Sequence, residues 1–171
     1  MQVKYQTYTM KLEDTPLDIG YMSEKITLKL LDGTEIEIGG QNGATQVLIS
    51  LPFLADHEIQ ELQKIDSFLP QGGEYEVQTT LIFAQKPENI PSFEKIRIAV
   101  DAQGEFGDMY AFRLQGEPLE GALAKQITLI SKDGALFYDD FCNNLQDNFN
   151  LEKLELKIIA AQNCYTGKGC H

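Results

Sequence analysis

Cysteine is scarce in this sequence, which contains Cys142, Cys164 and Cys170 and no others. An odd and small number of cysteines in a chain of 171 residues does not indicate a fold built on disulfides. The sequence also lacks a Cys-x-x-Cys motif, in which one thiol attacks a disulfide and its neighbour resolves the intermediate. Because no cysteine precedes residue 142, any thiol chemistry must come from the C-terminal part of the chain.

Basic side chains and long apolar runs are also scarce. The chain has 14 Lys and Arg against 26 Asp and Glu, which gives a formal net charge of −12. Nucleic acids and anionic lipids both bind basic surfaces, so neither is an expected partner. No segment approaches the roughly 20 apolar residues that cross a bilayer. The first ten residues alternate as a strand does, unlike a secretory leader. We therefore expect a soluble, cytoplasmic protein.

Apolar residues make up 43% of the chain, which is enough to build a core. The length favours a single domain over residues 1–171. Within it, residues 1–24 are expected to form an extension that carries a hairpin, Val3 to Leu12, and residues 164–171 form a tail that contains two cysteines. No motif for a cofactor or for a metal ion stands out, and we expect neither.

The predicted elements follow the order β-α-β and then β-β-α. The nearly continuous apolar run Gln46 to Leu51 predicts a central strand buried on both faces. After Pro52, apolar side chains at helical spacing predict a helix with Asp56 as its N-cap. The other predicted segments are strands at Tyr75 to Phe83, Lys95 to Val100, Lys125 to Ile130 and Ala135 to Tyr138, and helices at Glu105 to Phe112 and from about Asn150. This order predicts an α/β fold with a mixed sheet and helices on both faces.

Three stretches of the sequence resemble bacterial thiol peroxidases, a subfamily of the peroxiredoxins. These stretches are Val47 to Leu54, Phe106 to Tyr110 with its Phe-Gly pair and tyrosine, and Gly116 to Lys125, which leads into the strand Ile127 to Ile130. The resemblance covers nearly the whole chain. It implies a thioredoxin-like fold with an N-terminal β-hairpin, and it implies a homodimer that is formed near the active-site loop.

The sequence departs from the family in the motif that performs the chemistry. Thiol peroxidases carry Pro-x3-Thr-x2-Cys, and a helix N-terminus and an arginine lower the pKa of that cysteine. Here Pro52 matches, but the threonine position holds Asp56 and the cysteine position holds Ile59. The arginine position holds Lys125. The comparison predicts that the inherited peroxidase chemistry is lost, and it leaves open whether the chain is an enzyme.

The C-terminal tail allows three interpretations. Cys164 and Cys170 flank two glycines, so a flexible loop could bring their sulfurs together, and Lys168 and His171 would favour a thiolate. The pair could therefore be a redox-active dithiol. The two cysteines could equally be incidental thiols at a frayed terminus. A metal site is a weaker alternative, since the Cys-x5-Cys-His spacing lacks a second ligand pair and His57 is not an obvious fourth ligand.

Two hypotheses about function follow. The first is a binding or structural protein that keeps the thiol peroxidase scaffold, forms a dimer and uses Phe53 and Leu54 as a shallow apolar patch. The alternative is a thiol-disulfide redox protein or sensor that uses Cys164 and Cys170, with a thioredoxin-type or other protein as its partner. For Cys142, a buried structural role is predicted, because free cysteine often packs as a small apolar side chain.

Overall fold

The computed structural model describes residues 1–70 and 77–163, and it contains ten strands and three helices within those ranges. The strands are β1 (Gln2–Tyr5), β2 (Tyr8–Leu12), β3 (Ile26–Leu30), β4 (Glu35–Ile38), β5 (Thr45–Ser50), β6 (Val77–Phe83), β7 (Ile96–Val100), β8 (Leu114–Gln115), β9 (Gln126–Ile130) and β10 (Leu136–Phe141). The helices are α1 (Asp56–Phe68), α2 (Glu105–Met109) and α3 (Leu151–Asn163).

A seven-stranded mixed sheet forms the centre of the protein, in the order β10-β9-β5-β6-β7-β3-β4. Strands β5, β6 and β7 run parallel, and the connection from β5 to β6 contains α1. Strand β9 pairs antiparallel with β5, and β10 pairs antiparallel with β9. All six residues of β5 are buried, as a central strand between two covered faces requires. The predicted mixed α/β sheet is confirmed.

Two hydrophobic clusters cover the two faces of this sheet. On one face, α1 and α3 pack against the strands through Leu62, Ile65, Leu154, Ile158, Val47, Ile49 and Leu81. On the other face, Phe106 and Tyr110, in and just after the short helix α2, pack against Leu28, Leu48 and Ile82 of strands β3, β5 and β6. Helices therefore lie on both faces, as the sequence predicted.

The N-terminal hairpin forms a separate small sheet. Strands β1 and β2 pair antiparallel, and β8 joins β2, so the order is β1-β2-β8. The N–H of Lys4 donates to the carbonyl of Asn143 over 2.7 Å, and the N–H of Leu145 donates back to the carbonyl of Lys4 over 2.8 Å. These bonds hold the hairpin beside the segment that leads from β10 to α3.

Several predicted boundaries differ from the structure by one to three residues, and β10 runs on to Phe141, past the predicted end at Tyr138. Helix α2 ends at Met109, before the predicted Phe112, because Ala111 has a positive φ of 61° that helical backbone does not allow. Strand β6 is described from Val77, and the predicted start at Tyr75 lies outside the described residues. The N-cap of α1 is Ala55, one residue before the predicted Asp56.

Candidate functional site

The first turn of α1 follows directly from the end of β5. Ala55 has the extended backbone of an N-cap, at φ −109° and ψ 177°, and its N–H donates to the Glu58 carboxylate over 3.2 Å. Asp56 is therefore the first residue inside the helix, and its side chain is exposed at the positive end of the helix dipole. The prediction of Asp56 as the N-cap is wrong because the carboxylate of Glu58, three residues into the turn, binds the capping N–H.

Ile59 lies in this first turn and is half-buried. Its N–H donates to the carbonyl of Ala55 over 3.0 Å, which closes the first helical hydrogen bond. The side chain is an aliphatic group without a nucleophilic atom. Ile59 therefore has a backbone role in the first turn of α1, and its side chain offers no chemistry.

Pro52 lines a cavity that the other three residues predicted for the site do not line. This cavity has a volume of about 250 Å³ and lies where β5 and β6 end, between Phe83, Gln85 and the loop of residues 118–122. Within the described residues, the lining of this cavity includes neither Asp56 nor Lys125. The structure therefore does not gather the four matching positions into one pocket.

Lys125 is almost fully buried, with 1% of its surface exposed. Its ammonium donates to Oε1 of Glu61 over 2.5 Å and to the carbonyl of Asp147 over 2.7 Å. The same ammonium lies 4.8 Å from the centroid of the Phe149 ring. Burying a lysine is costly unless its charge is paired and its donors are satisfied, and these contacts meet both conditions.

Glu61 connects Lys125 to two helices. It belongs to α1, and its Oε2 accepts the N–H of Phe149, just before α3, over 2.8 Å. Its Oε1 also lies 3.4 Å from Nε2 of His57, one helical turn earlier. Together, Glu61 and Lys125 join α1, the start of β9 and the start of α3 on one face of the sheet.

Sequence reasoning did not identify Glu61. Two signals could have found it: a lone lysine inside the apolar run that precedes β9, and a glutamate beside the apolar face of α1. A charged residue predicted to be buried needs an opposite charge, and Glu61 is next to Leu62 on that face.

Cys142 is buried next to this ion pair, with 4% of its surface exposed. Its thiol lies 4.0 Å from the carbonyl of Asp147. Burial raises the pKa of Cys142 to about 12, and the charges of Asp140, Glu61 and Asp147 act in the same direction, against a lowering by Lys125. The thiol therefore stays protonated near neutral pH and is a poor nucleophile. The predicted burial is confirmed.

The predicted apolar patch is partly covered. Phe53 is half-buried, and its ring lies 5.3 Å from that of Tyr5 in the N-terminal hairpin. Leu54 is also half-buried and packs against the cluster beneath α1 and α3. Neither side chain is fully exposed or fully buried, because the hairpin covers part of Phe53 and Leu54 packs against that cluster.

The C-terminal tail carries the two cysteines of the predicted redox pair. Cys164 and Cys170, with the rest of the tail, lie outside the described residues.

Within residues 1–70 and 77–163, no three His, Cys, Asp or Glu side chains form a group that could hold a metal ion. No described helix is long and apolar enough to cross a membrane.

Comparisons of the sequence and of the structure with known proteins both lead to thiol peroxidases and peroxiredoxin-like proteins. No family model matches the chain. A thiol peroxidase of Campylobacter jejuni is 28% identical over 175 aligned residues, which cover 99% of this chain and 98% of that protein. A peroxiredoxin-like protein from Aquifex aeolicus superposes with a TM-score of 0.82 at 19% identity, over 94% of this chain and 96% of the other.

A thiol peroxidase from Chromobacterium violaceum superposes with a TM-score of 0.77 at 14% identity, over 91% of this chain and 93% of the other. These two structures establish the fold, and the curated relative extends the likeness to the sequence. The chain therefore resembles thiol peroxidase along its whole length and has the thioredoxin-like fold of the peroxiredoxins.

Proposed function

We propose that this chain is a thiol peroxidase-like redoxin that has lost peroxide reduction and acts as a binding or structural protein. The observation that carries the proposal is the ion pair between Lys125 and Glu61. In the family, the corresponding cation lowers the pKa of the cysteine that attacks peroxide. Here the charge of Lys125 is balanced by a buried carboxylate, so little of it is left to stabilise a thiolate or a peroxide oxygen.

Two other side chains support the same proposal. Ile59 has no atom that can attack peroxide, and no cysteine precedes Cys142 to replace it. Asp56 adds an exposed negative charge where the family would bind peroxide oxygens. Cys142 is buried, and the raised pKa of its thiol argues against it as a replacement nucleophile.

A peroxidase assay coupled to thioredoxin, thioredoxin reductase and NADPH tests the loss of activity. We expect peroxide consumption at background for the wild-type chain, and the same background for a variant with all three cysteines changed to serine. Turnover in both proteins would contradict the proposal, since it would need a site that uses no thiol. Turnover in the wild type alone would also contradict the loss of activity, and it would assign peroxide reduction to at least one of the three cysteines.

The alternative function is a thiol-disulfide protein that uses Cys164 and Cys170. Its motivation is the sequence of the tail, where the two cysteines flank a glycine-rich, locally basic segment. In this reaction two thiols lose two protons and two electrons and form one S–S bond, while hydrogen peroxide is reduced to two waters. Intact mass after mild peroxide treatment should then show the loss of two hydrogens. The same loss in a Cys164→Ser variant would contradict this assignment.

We also propose a homodimer that is formed through the loop of Pro52, Phe53 and Leu54. The half-buried Phe53 ring and the neighbouring Tyr5 ring supply an aromatic surface there, and a specific apolar contact would have to overcome the repulsion between two chains of net charge −12. Sedimentation velocity of Phe53→Ser should show a shift towards monomer. The matched control is Tyr8→Ser, in the exposed part of the hairpin. A wild-type monomer would overturn the proposal.

A further inference from the structure

A polar groove lies between α1 and the start of α3, and Glu61 of the buried ion pair forms part of its lining. Its volume is about 180 Å³. Its lining consists of His57, Gln60, Glu61, Lys64, Asn148, Phe149 and Leu151. The first four lie on one face of α1, at positions i, i+3, i+4 and i+7. The last three belong to the segment that enters α3. The groove is separate from the cavity at Pro52, whose lining shares no residue with it.

The charges around this groove favour an anion. Glu61 is the one carboxylate in its lining, and the ammonium of Lys125 binds that carboxylate over 2.5 Å from the buried side. Its other oxygen is occupied by the N–H of Phe149. The carboxylate is therefore balanced before any ligand enters. Lys64 forms no ion pair with a carboxylate of the described residues, so its positive charge remains available.

The groove also offers hydrogen-bond donors of different kinds. Lys64 has an ammonium with three N–H groups, and the amides of Gln60 and Asn148 each have two. His57 directs Nε2 towards Glu61, so a neutral imidazole has only the acceptor Nδ1 left and adds no donor to the groove. These side chains are exposed, so a ligand can reach them from solvent. The groove therefore presents three donor side chains around one balanced carboxylate.

We propose that this groove binds a small oxyanion, such as inorganic phosphate or a short carboxylate. The volume of about 180 Å³ lies below the roughly 300–1,000 Å³ of sites for drug-sized ligands, so the ligand has only a few heavy atoms. Lys64 supplies the charge, the amides of Gln60 and Asn148 orient the oxygens, and Glu61, whose charge is balanced by Lys125, completes the polar lining. The proposal does not depend on whether peroxide chemistry has been lost, because Pro52 and Ile59 do not line this groove.

Amide chemical shifts in two-dimensional NMR spectra test the proposal. The wild-type chain is titrated with sodium phosphate, sodium acetate and sodium chloride at one pH and one ionic strength. We expect saturable shifts at Gln60, Lys64 and Asn148 with phosphate, with acetate or with both. The salt that produces them identifies the class of oxyanion that the groove binds. Equal shifts with chloride, or shifts that never saturate, would overturn the proposal.

Two lysine variants then separate a site from general electrostatics. Lys64→Gln should weaken binding roughly two- to fivefold, the range expected for one exposed charge. Lys29→Gln removes an exposed lysine from β3, at the other end of the sheet, and should leave the affinity unchanged. Equal weakening in both variants would show that the anion senses only the net charge of the protein. Retained amide spectra confirm that each variant is folded.

Discussion

Two ionic clusters in this protein use similar side chains in different surroundings. Lys125 and Glu61 expose 1% and 8% of their side chains to solvent. Arg113 pairs with Asp108 and with Glu13, and their side chains expose 20%, 63% and 41%. The Arg113 guanidinium also donates to the carbonyl of Gly104 over 2.5 Å, next to the start of α2.

The contrast shows how burial decides what an ion pair does. At the surface, solvent and salt screen the attraction, and a pair contributes about 0–1 kcal/mol. In the interior, an ion pair adds little over an apolar pair of the same size, yet removing one member costs about 3–5 kcal/mol because the other charge stays buried. Glu61 and Lys125 therefore depend on each other, whereas Asp108 and Glu13 stay in contact with solvent whether or not Arg113 is present.

The largest effect is expected from Lys125→Met. The substitution leaves the Glu61 carboxylate buried beside the N–H of Phe149, and the free energy of unfolding should fall by about 3–5 kcal/mol. Urea denaturation followed by circular dichroism measures it. The double variant Glu61→Gln with Lys125→Met should recover much of the loss, because no charge is then left unpaired. A loss below about 1 kcal/mol in the single variant would mean that this pair contributes no more to stability than a solvent-exposed ion pair.

The buried cluster should also make the protein sensitive to alkali. Cys142 has a pKa of about 12 in the folded state against an ordinary 9.0, so between these values the unfolded chain releases the thiol proton first. The unfolded state then binds fewer protons, and stability must fall as pH rises through this window. Tyr138, whose pKa burial raises to about 12, acts in the same direction.

A cysteine variant measures how much Cys142 contributes to the decrease in stability at alkaline pH. In a background with Cys164→Ser and Cys170→Ser, adding Cys142→Ala should reduce the slope of stability against pH by at most about one proton. Urea midpoints across the alkaline range give the slope. An unchanged slope would mean that the Cys142 thiol ionises as readily in the folded chain as in the unfolded one.

A smaller effect is expected at the exposed cluster. Arg113→Gln should lower the free energy of unfolding by about 1 kcal/mol or less, since Asp108 and Glu13 remain hydrated when the guanidinium is removed. The same urea experiment applies. A loss as large as that of Lys125→Met would remove the distinction between the two clusters and would point to the bond from Arg113 to the Gly104 carbonyl as the important contact.

Salt should produce the smallest effect and the sharpest contrast. In high sodium chloride, the difference in stability between the wild type and Arg113→Gln should shrink by a few tenths of a kcal/mol, because exposed charges are screened. The difference between the wild type and Lys125→Met should persist, because solvent ions do not reach that pair. Equal shrinkage of both differences would contradict the burial of Lys125.

Much of the fold was predictable because local patterns encode it. The nearly continuous apolar run Gln46 to Leu51 predicts a central strand from its side-chain pattern alone, and the structure has the central strand β5 there. The first turn of α1 was harder, since Asp56 and Glu58 are both acidic and only the geometry decides which one binds the capping N–H. The covering of Phe53 by Tyr5 depends on a hairpin that is distant in sequence.

For the candidate site, the sequence by itself determined that position 59 carries no nucleophile. Ile59 follows Pro52 at the spacing at which thiol peroxidases have their cysteine, and an isoleucine side chain has no nucleophilic atom in any conformation. Only the tertiary structure decided what became of Lys125. Its partner Glu61 is 64 residues away, and neither residue's neighbours in the sequence predict that their charges meet in the interior. A buried charge is stable only where packing brings its counter-charge, and packing is a property of the whole fold.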